Sequence, residues 1–169
     1  VKDLATIKQI DLQAEPIEAV GAVVYRRTRR KQPDILLIKK QGGFWTLPKG
    51  HIEPNEDQHM AVLREVLEET SIQIEVEQLI CSTSYHIIKR NQQHLKQVTY
   101  YLTRAKKGRA QPSKKEKIER VKWFPLDRAL RRIKRTRVKA VVRRASMLLG
   151  VALDAEEISA VAEQEKSRQ

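Results

Sequence analysis

One run of residues, KGHIEPNEDQHMAVLREVLEETSI from Lys49 to Ile72, constrains this chain more than any other. It holds six acids, Glu53, Glu56, Asp57, Glu65, Glu68 and Glu69, in a protein whose formal net charge is +13. Its periodicity is helical from about residue 55 to 70. At roughly 100° per residue, with Ala61 as zero, Glu68, Glu65 and Glu69 fall at about −20°, 40° and 80°. Met60, Val62, Leu63, Val66 and Leu67 fall between about 100° and 260°. The expectation is a helix capped by Asn55, with Gln58 three residues on, whose apolar arc faces a core and whose carboxylates face elsewhere. Arg64 stands beside Glu68 at the i, i+4 spacing.

Like charges three and four apart cost an isolated helix roughly 0.2–0.5 kcal/mol per pair. An anion in the last turn opposes the helix dipole at a further cost of roughly 0.3–1 kcal/mol. A solvated surface helix can bear both penalties. A divalent cation would turn the same arrangement to use, because three carboxylates on one rigid face suit Mg²⁺ or Mn²⁺. The helix pattern alone leaves both readings open.

The surrounding segments alternate between strand and helix patterns. IEAVGAVVYRR and DILLIKK, from residues 17 and 34, are apolar and β-branched and read as paired strands. Strand-like runs follow near 73–88, 94–104 and 120–124, then a basic helix over about 126–149 after Pro125. Asp154 and Glu157 have capping-box spacing for a terminal helix. The expected organisation is an N-terminal extension over 1–16, one domain over 17–149, and a helical extension over 150–169.

Charge is concentrated late in the chain. Between Arg104 and Arg144 there are 18 Lys or Arg residues and three acids, Glu116, Glu119 and Asp127. Such a block is either a solvated surface or the footprint of a polyanion. The single cysteine, Cys81, excludes an internal disulfide and suits a reducing compartment. No apolar run approaches membrane-spanning length, and the expected location is cytoplasmic.

The spacing of Gly50, Glu56, Arg64-Glu65, Glu68-Glu69 and Ile72, led in by WTLPKG, closely resembles the Nudix box. That box reads Gly-x5-Glu-x7-Arg-Glu-U-x-Glu-Glu-x-Gly-U, with U a bulky aliphatic residue. One position departs, since Ser71 stands where the family has glycine. The resemblance, over about residues 17–148, implies an α/β fold, an α/β/α sandwich with a mixed β-sheet. It further implies Mg²⁺-dependent hydrolysis of a pyrophosphate bond in a nucleoside diphosphate derivative, with Mn²⁺ as a substitute. By the box, Glu65 and Glu69 are metal ligands with Glu68 next, and Lys49 lends its carbonyl. Arg64 orients the glutamates, and Glu56 has a supporting role. In some members the residue at Glu65 serves as base. In others the base lies outside the box, where Glu116 and Glu119 are the candidates, and Glu119 is taken first.

Candidate phosphate contacts are Arg26, Lys39, Lys40, Lys49, Lys89, Arg90 and Lys96, with Tyr25, Phe44 and Tyr85 as platforms for a base. The wording LPKGHIEP and the later KQVTYYLTRA and VKWFPLDRAL resemble Nudix enzymes of dinucleoside polyphosphates and diphosphoinositol polyphosphates. The expected partner is a phosphorylated small molecule, a dinucleoside polyphosphate first, then ADP-ribose or a nucleoside triphosphate. A non-catalytic module binding nucleic acid or another polyanion is the alternative of a different class.

Overall fold

The computed structural model describes residues 15–153. Among them, β1 (Ile17–Arg26), β2 (Asp34–Lys40), β3 (Trp45–Thr46) and β4 (Lys49–His51) precede α1 (Gln58–Thr70). Then come β5 (Gln73–Lys89), β6 (Gln92–Lys107), β7 (Ile118–Pro125), α2 (Leu126–Arg132) and α3 (Thr136–Leu148). The terminal helix expected from Asp154, and most of the expected N-terminal extension, lie outside the described residues.

The sheet is mixed and runs β3-β2-β1-β6-β5, with β7 on β2 and β4 on β1. β1 lies parallel to β6 along its length, from Ile17 opposite Lys96 to Tyr25 opposite Arg104. Its other edge is shared. β2 pairs with β1 only at Tyr25 and Arg26, whereas β4 pairs with Ala19, Val20 and Gly21. This fork places Lys49 and Gly50 beside the first half of β1 and beneath α1.

Strand alternation builds both cores. Val20, Ala22, Val24 and Leu36 face Ala61, Val62 and Val66 of α1. Ala19, Val23, Tyr25, Ile35, Leu37 and Leu102 face Leu126, Leu130, Val138 and Val142 of α2 and α3. β1 is therefore buried on both faces, as its unbroken apolar run requires. Each fully buried Val, Leu or Ile contributes roughly 1.5–3 kcal/mol.

Three local expectations need correction. Asp57, not Asn55, caps α1, accepting a 2.8 Å hydrogen bond from the Met60 N–H. Asn55 instead takes a left-handed conformation (φ 63°) in the preceding turn, which asparagine tolerates. The basic helix is two helices, because Ile133 is extended and wholly buried and draws the chain into the core between them. The third correction concerns which face of α1 is buried. Met60, Leu63 and Leu67 are 56%, 41% and 45% exposed, while Glu65 and Glu69 are buried. The buried arc thus runs from about 0° to 180° on the angular scale above. It takes in Val62, Val66 and two carboxylates together.

The left-handed shape that glycine would take at the end of α1 is present in serine. Ser71 has φ 62° and ψ 17°, and its N–H closes the helix on the Leu67 carbonyl at 2.9 Å.

Candidate active site

Arg64 organises the acidic face of α1. Its Nε and Nη2 donate to both oxygens of Glu56, at 2.8 and 2.9 Å. Nη1 donates to Glu65 at 2.9 Å and to Glu68 at 3.2 Å, and lies 3.8 Å from Glu53. Nη2 also reaches the His51 carbonyl, which ties the helix to β4. The forked contact with Arg64, aided by the Glu53 backbone N–H, pulls the Glu56 carboxyl down to about 2. Glu56 is thus the fixed counter-ion of Arg64, in keeping with a supporting role.

Glu65 and Glu69 sit one helical turn apart and turn inward. Space for Glu65 comes from a missing atom: a Cβ on Gly50 would lie 1.9 Å from its carboxyl carbon. Burial raises the Glu65 pKa, and Arg64 opposes that rise. Glu69 is 2% exposed. It accepts the Lys49 backbone N–H at 3.0 Å and lies 3.5 Å from the Lys40 ammonium. Burial nonetheless lifts its carboxyl to about 7, with Lys40 and the Lys49 N–H acting against the rise. Glu68 is the most open of the three.

Among the described residues no three His, Cys, Asp or Glu side chains form a ready cage for a metal ion. The donor chemistry still fits Mg²⁺, which keeps several waters and is usually held by one or two carboxylates together with substrate phosphates. Two buried glutamates whose ionised form is disfavoured, with a third at the water's edge, are what such a cation would complement.

Across from the carboxylates stands a cationic wall. Lys49 bridges the two, since its N–H holds Glu69 and its ammonium reaches the Tyr85 hydroxyl at 3.3 Å. Burial, then the charges of Arg137, Arg135 and Lys40, lower Lys49 to about 8. The Arg137 guanidinium stacks on Tyr85, its Cζ 3.8 Å from the ring centroid. Lys96 faces Tyr85 across the β5–β6 pair.

The other expected site residues are placed as follows. Lys39 lies 3.7 Å from Glu119, which also meets Arg120, so Glu119 is engaged along β7. Of the acids whose charge raises Glu65, Glu68 comes first and Glu116 next. Arg26 is not brought to the site. It lies at the far end of β1, bonded to Asp34 and stacked over Trp123 at 4.4 Å. Phe44 is 53% exposed, with Lys134 over its ring at 5.4 Å. Lys89 and Arg90 occupy the hairpin tip, where Arg90 and Asn91 both have positive φ, as a two-residue type I′ turn needs. Arg135 and Arg137 went unselected in the sequence, where they are two cations in a long basic run.

A family model described as the NUDIX domain matches residues 15–145. The asymmetrical bis(5'-nucleosyl)-tetraphosphatase of Mus musculus is 26% identical over 140 residues, spanning 79% of this chain and 95% of the mouse protein. The Caenorhabditis elegans protein of the same name is 40% identical over 57 residues, a stretch that spans 33% of this chain and 41% of that protein. A crystal structure of a C. elegans Ap4A hydrolase binary complex aligns with a TM-score of 0.66 at 26% identity, covering 79% of this chain and 98% of that one.

Proposed function

The chain belongs to the Nudix hydrolases and is a pyrophosphohydrolase, and on that premise we propose that it cleaves dinucleoside polyphosphates with Mg²⁺ as its cofactor. The observation that carries this reading is the juxtaposition of an Arg64-ordered carboxylate face with a wall of cations at Lys49. The named relatives support the substrate class.

Glu65, Glu69 and Glu68 would hold the cation, joined by the Lys49 carbonyl. When bound, the cation offsets charge on the phosphate oxygens and acidifies the attacking water. The rest falls to the chain's own groups. Arg64 keeps Glu56 ionised and fixes the direction of Glu65 and Glu68, so little reorganisation is needed when charge builds up. Lys40 and the Lys49 N–H hold Glu69 in place. Lys40 and Lys49 also present positive charge to the substrate. Glu116 is the better placed of the two outer acids to take a proton from water, because Glu119 is held by Lys39 and Arg120.

The test is chromatographic separation of the products from a panel, with and without Mg²⁺: a dinucleoside tetraphosphate, ADP-ribose, a nucleoside triphosphate and a diphosphoinositol polyphosphate. The reading expects the tetraphosphate to have the highest kcat/KM, with activity abolished by chelation. A clear preference for another member of the panel would reassign the substrate. Tight RNA binding with no turnover of any of them would restore the non-catalytic alternative.

A further inference from the structure

The cationic wall is built differently from every other charged region near the site. Lys40 has Glu69 as a partner, yet among the described residues Lys49, Lys96, Arg135 and Arg137 have no carboxylate within 4.0 Å. They are also close enough to repel one another. Lys49 is disfavoured by Arg137 and Arg135, and Lys96 by Lys49 and Lys40. Gathering unpaired like charges, with Lys49, Lys96 and Arg137 partly buried and Arg135 exposed beside them, is unfavourable, and more so as the local dielectric falls. Only a multiply charged anion relieves several of them at once.

Geometry says which part of an anion belongs there. Lys49 is anchored by its N–H on Glu69, and its extended side chain ends at the Tyr85 hydroxyl. The wall therefore begins a lysine side chain's length from the carboxylates and continues outward through Tyr85 to Arg137. The Arg137 guanidinium has one flat face on the Tyr85 ring and no hydrogen-bond partner among the described residues. Stacking fixes the plane and leaves the N–H edges free, the arrangement suited to forked contact with a phosphate.

We propose that Arg135 and Arg137, with Lys96 and Tyr85, form an anion subsite for the phosphates beyond the bond being cut, and that this subsite selects longer phosphate chains over diphosphates. The selectivity rests on the hydrolase reading above, whereas the binding half does not.

The test uses the full chain and the double variant Arg135→Gln/Arg137→Gln, with Arg128→Gln on α2 as a charge-loss control away from the wall. Calorimetric titration without metal uses inorganic tripolyphosphate and pyrophosphate as probes. Loss of two charged contacts should weaken tripolyphosphate about tenfold or more in the double variant. Pyrophosphate, which reaches fewer of these cations at once, should weaken several-fold less, and the control should alter neither. In turnover assays, KM for a dinucleoside tetraphosphate should rise with kcat preserved, and KM for ADP-ribose should hold. Equal losses for both anions, or no loss for tripolyphosphate, would overturn the subsite. If the parent hydrolyses no nucleotide but shows the anion pattern, the reaction assignment fails and the subsite stands. If the parent cleaves the tetraphosphate and the double variant matches it, the subsite fails and the reaction stands.

Discussion

The two charged clusters of this site, the carboxylate wall on α1 and the cationic wall around Tyr85, treat charge in opposite ways. On the α1 side each glutamate has a partner: Glu53, Glu56, Glu65 and Glu68 share Arg64, and Glu69 has Lys49 N–H and Lys40. On the facing side, Lys49, Lys96 and Arg137 share a tyrosine ring, and neither they nor the neighbouring Arg135 has an acid partner among the described residues. A partnered wall is set in place by the fold itself and keeps its geometry whether or not a substrate is present. An unpartnered wall holds charges in readiness for something that arrives. The contrast separates the chemical step, assigned to the first wall, from affinity, assigned to the second.

The sharpest break in that division is at Glu69 and Glu65. Glu69→Gln or Glu65→Gln should lower kcat by about two orders of magnitude or more, with far-ultraviolet circular dichroism unchanged, since each loses charge and keeps shape. Near-parent turnover in both would remove the chemical step from this wall.

The next substitution in size is Arg64→Met, which leaves Glu56, Glu65 and Glu68 without their shared counter-ion. We expect a loss of about 1–2 kcal/mol in urea unfolding, because the charge-assisted hydrogen bonds of a half-buried guanidinium are withdrawn from several carboxylates at once. A variant as stable as the parent would mean that these contacts do not organise the wall.

Glu69 also gives a pH signature in chelator-treated protein. Its carboxyl rises from 4.5 to about 7 in the folded state. Between those values the folded protein holds a proton that the unfolded chain has released, so stability falls as pH rises from about 4.5 to 7. The change should be on the order of 3 kcal/mol, and Glu69→Gln should flatten it. An identical slope in the variant would assign the effect to other groups.

Ser71→Gly is the smallest change and belongs to neither wall. A left-handed serine bears roughly 1–2 kcal/mol of strain, and glycine returns part of that gain through a freer unfolded chain. A net gain of up to about 1 kcal/mol should appear as a melting temperature a few degrees higher, with activity unchanged. A lower melting temperature would show that the serine side chain contributes something glycine cannot.

The sequence made the partnered wall legible because its members lie within one helix and the loop before it. Arg64, Glu65, Glu68 and Glu69 are singled out by their match to the Nudix box, since helical spacing alone left a solvated face equally open. Which arc of α1 turns inward does not, since Met60, Leu63 and Leu67 are as apolar as Val62 and Val66. That choice depends on the forked edge of β1 and on the room above Gly50, both properties of the assembled sheet. The second wall was less legible still. Tyr85 and Arg137 come from a hairpin and a helix far apart in the chain, and nothing local distinguishes Arg137 from the exposed cations around it. Likewise, the break at Ile133 depends on a core the sequence does not display. The sheet's two buried faces, by contrast, were readable in β1's continuous apolar run.

The stacking of Arg137 on Tyr85 carries a consequence for the order in which the molecule comes apart. Contacts of Arg64 and Glu69 close short loops, eight residues to Glu56 and twenty to Lys49. Short closures cost little chain entropy and form readily. The ring and guanidinium meet only after the β5–β6 hairpin and α3 have both docked. Under mild denaturant the Arg137–Tyr85 contact should therefore be lost before the carboxylate scaffold. Amide exchange would show this as earlier opening at the start of α3 than in the middle of α1.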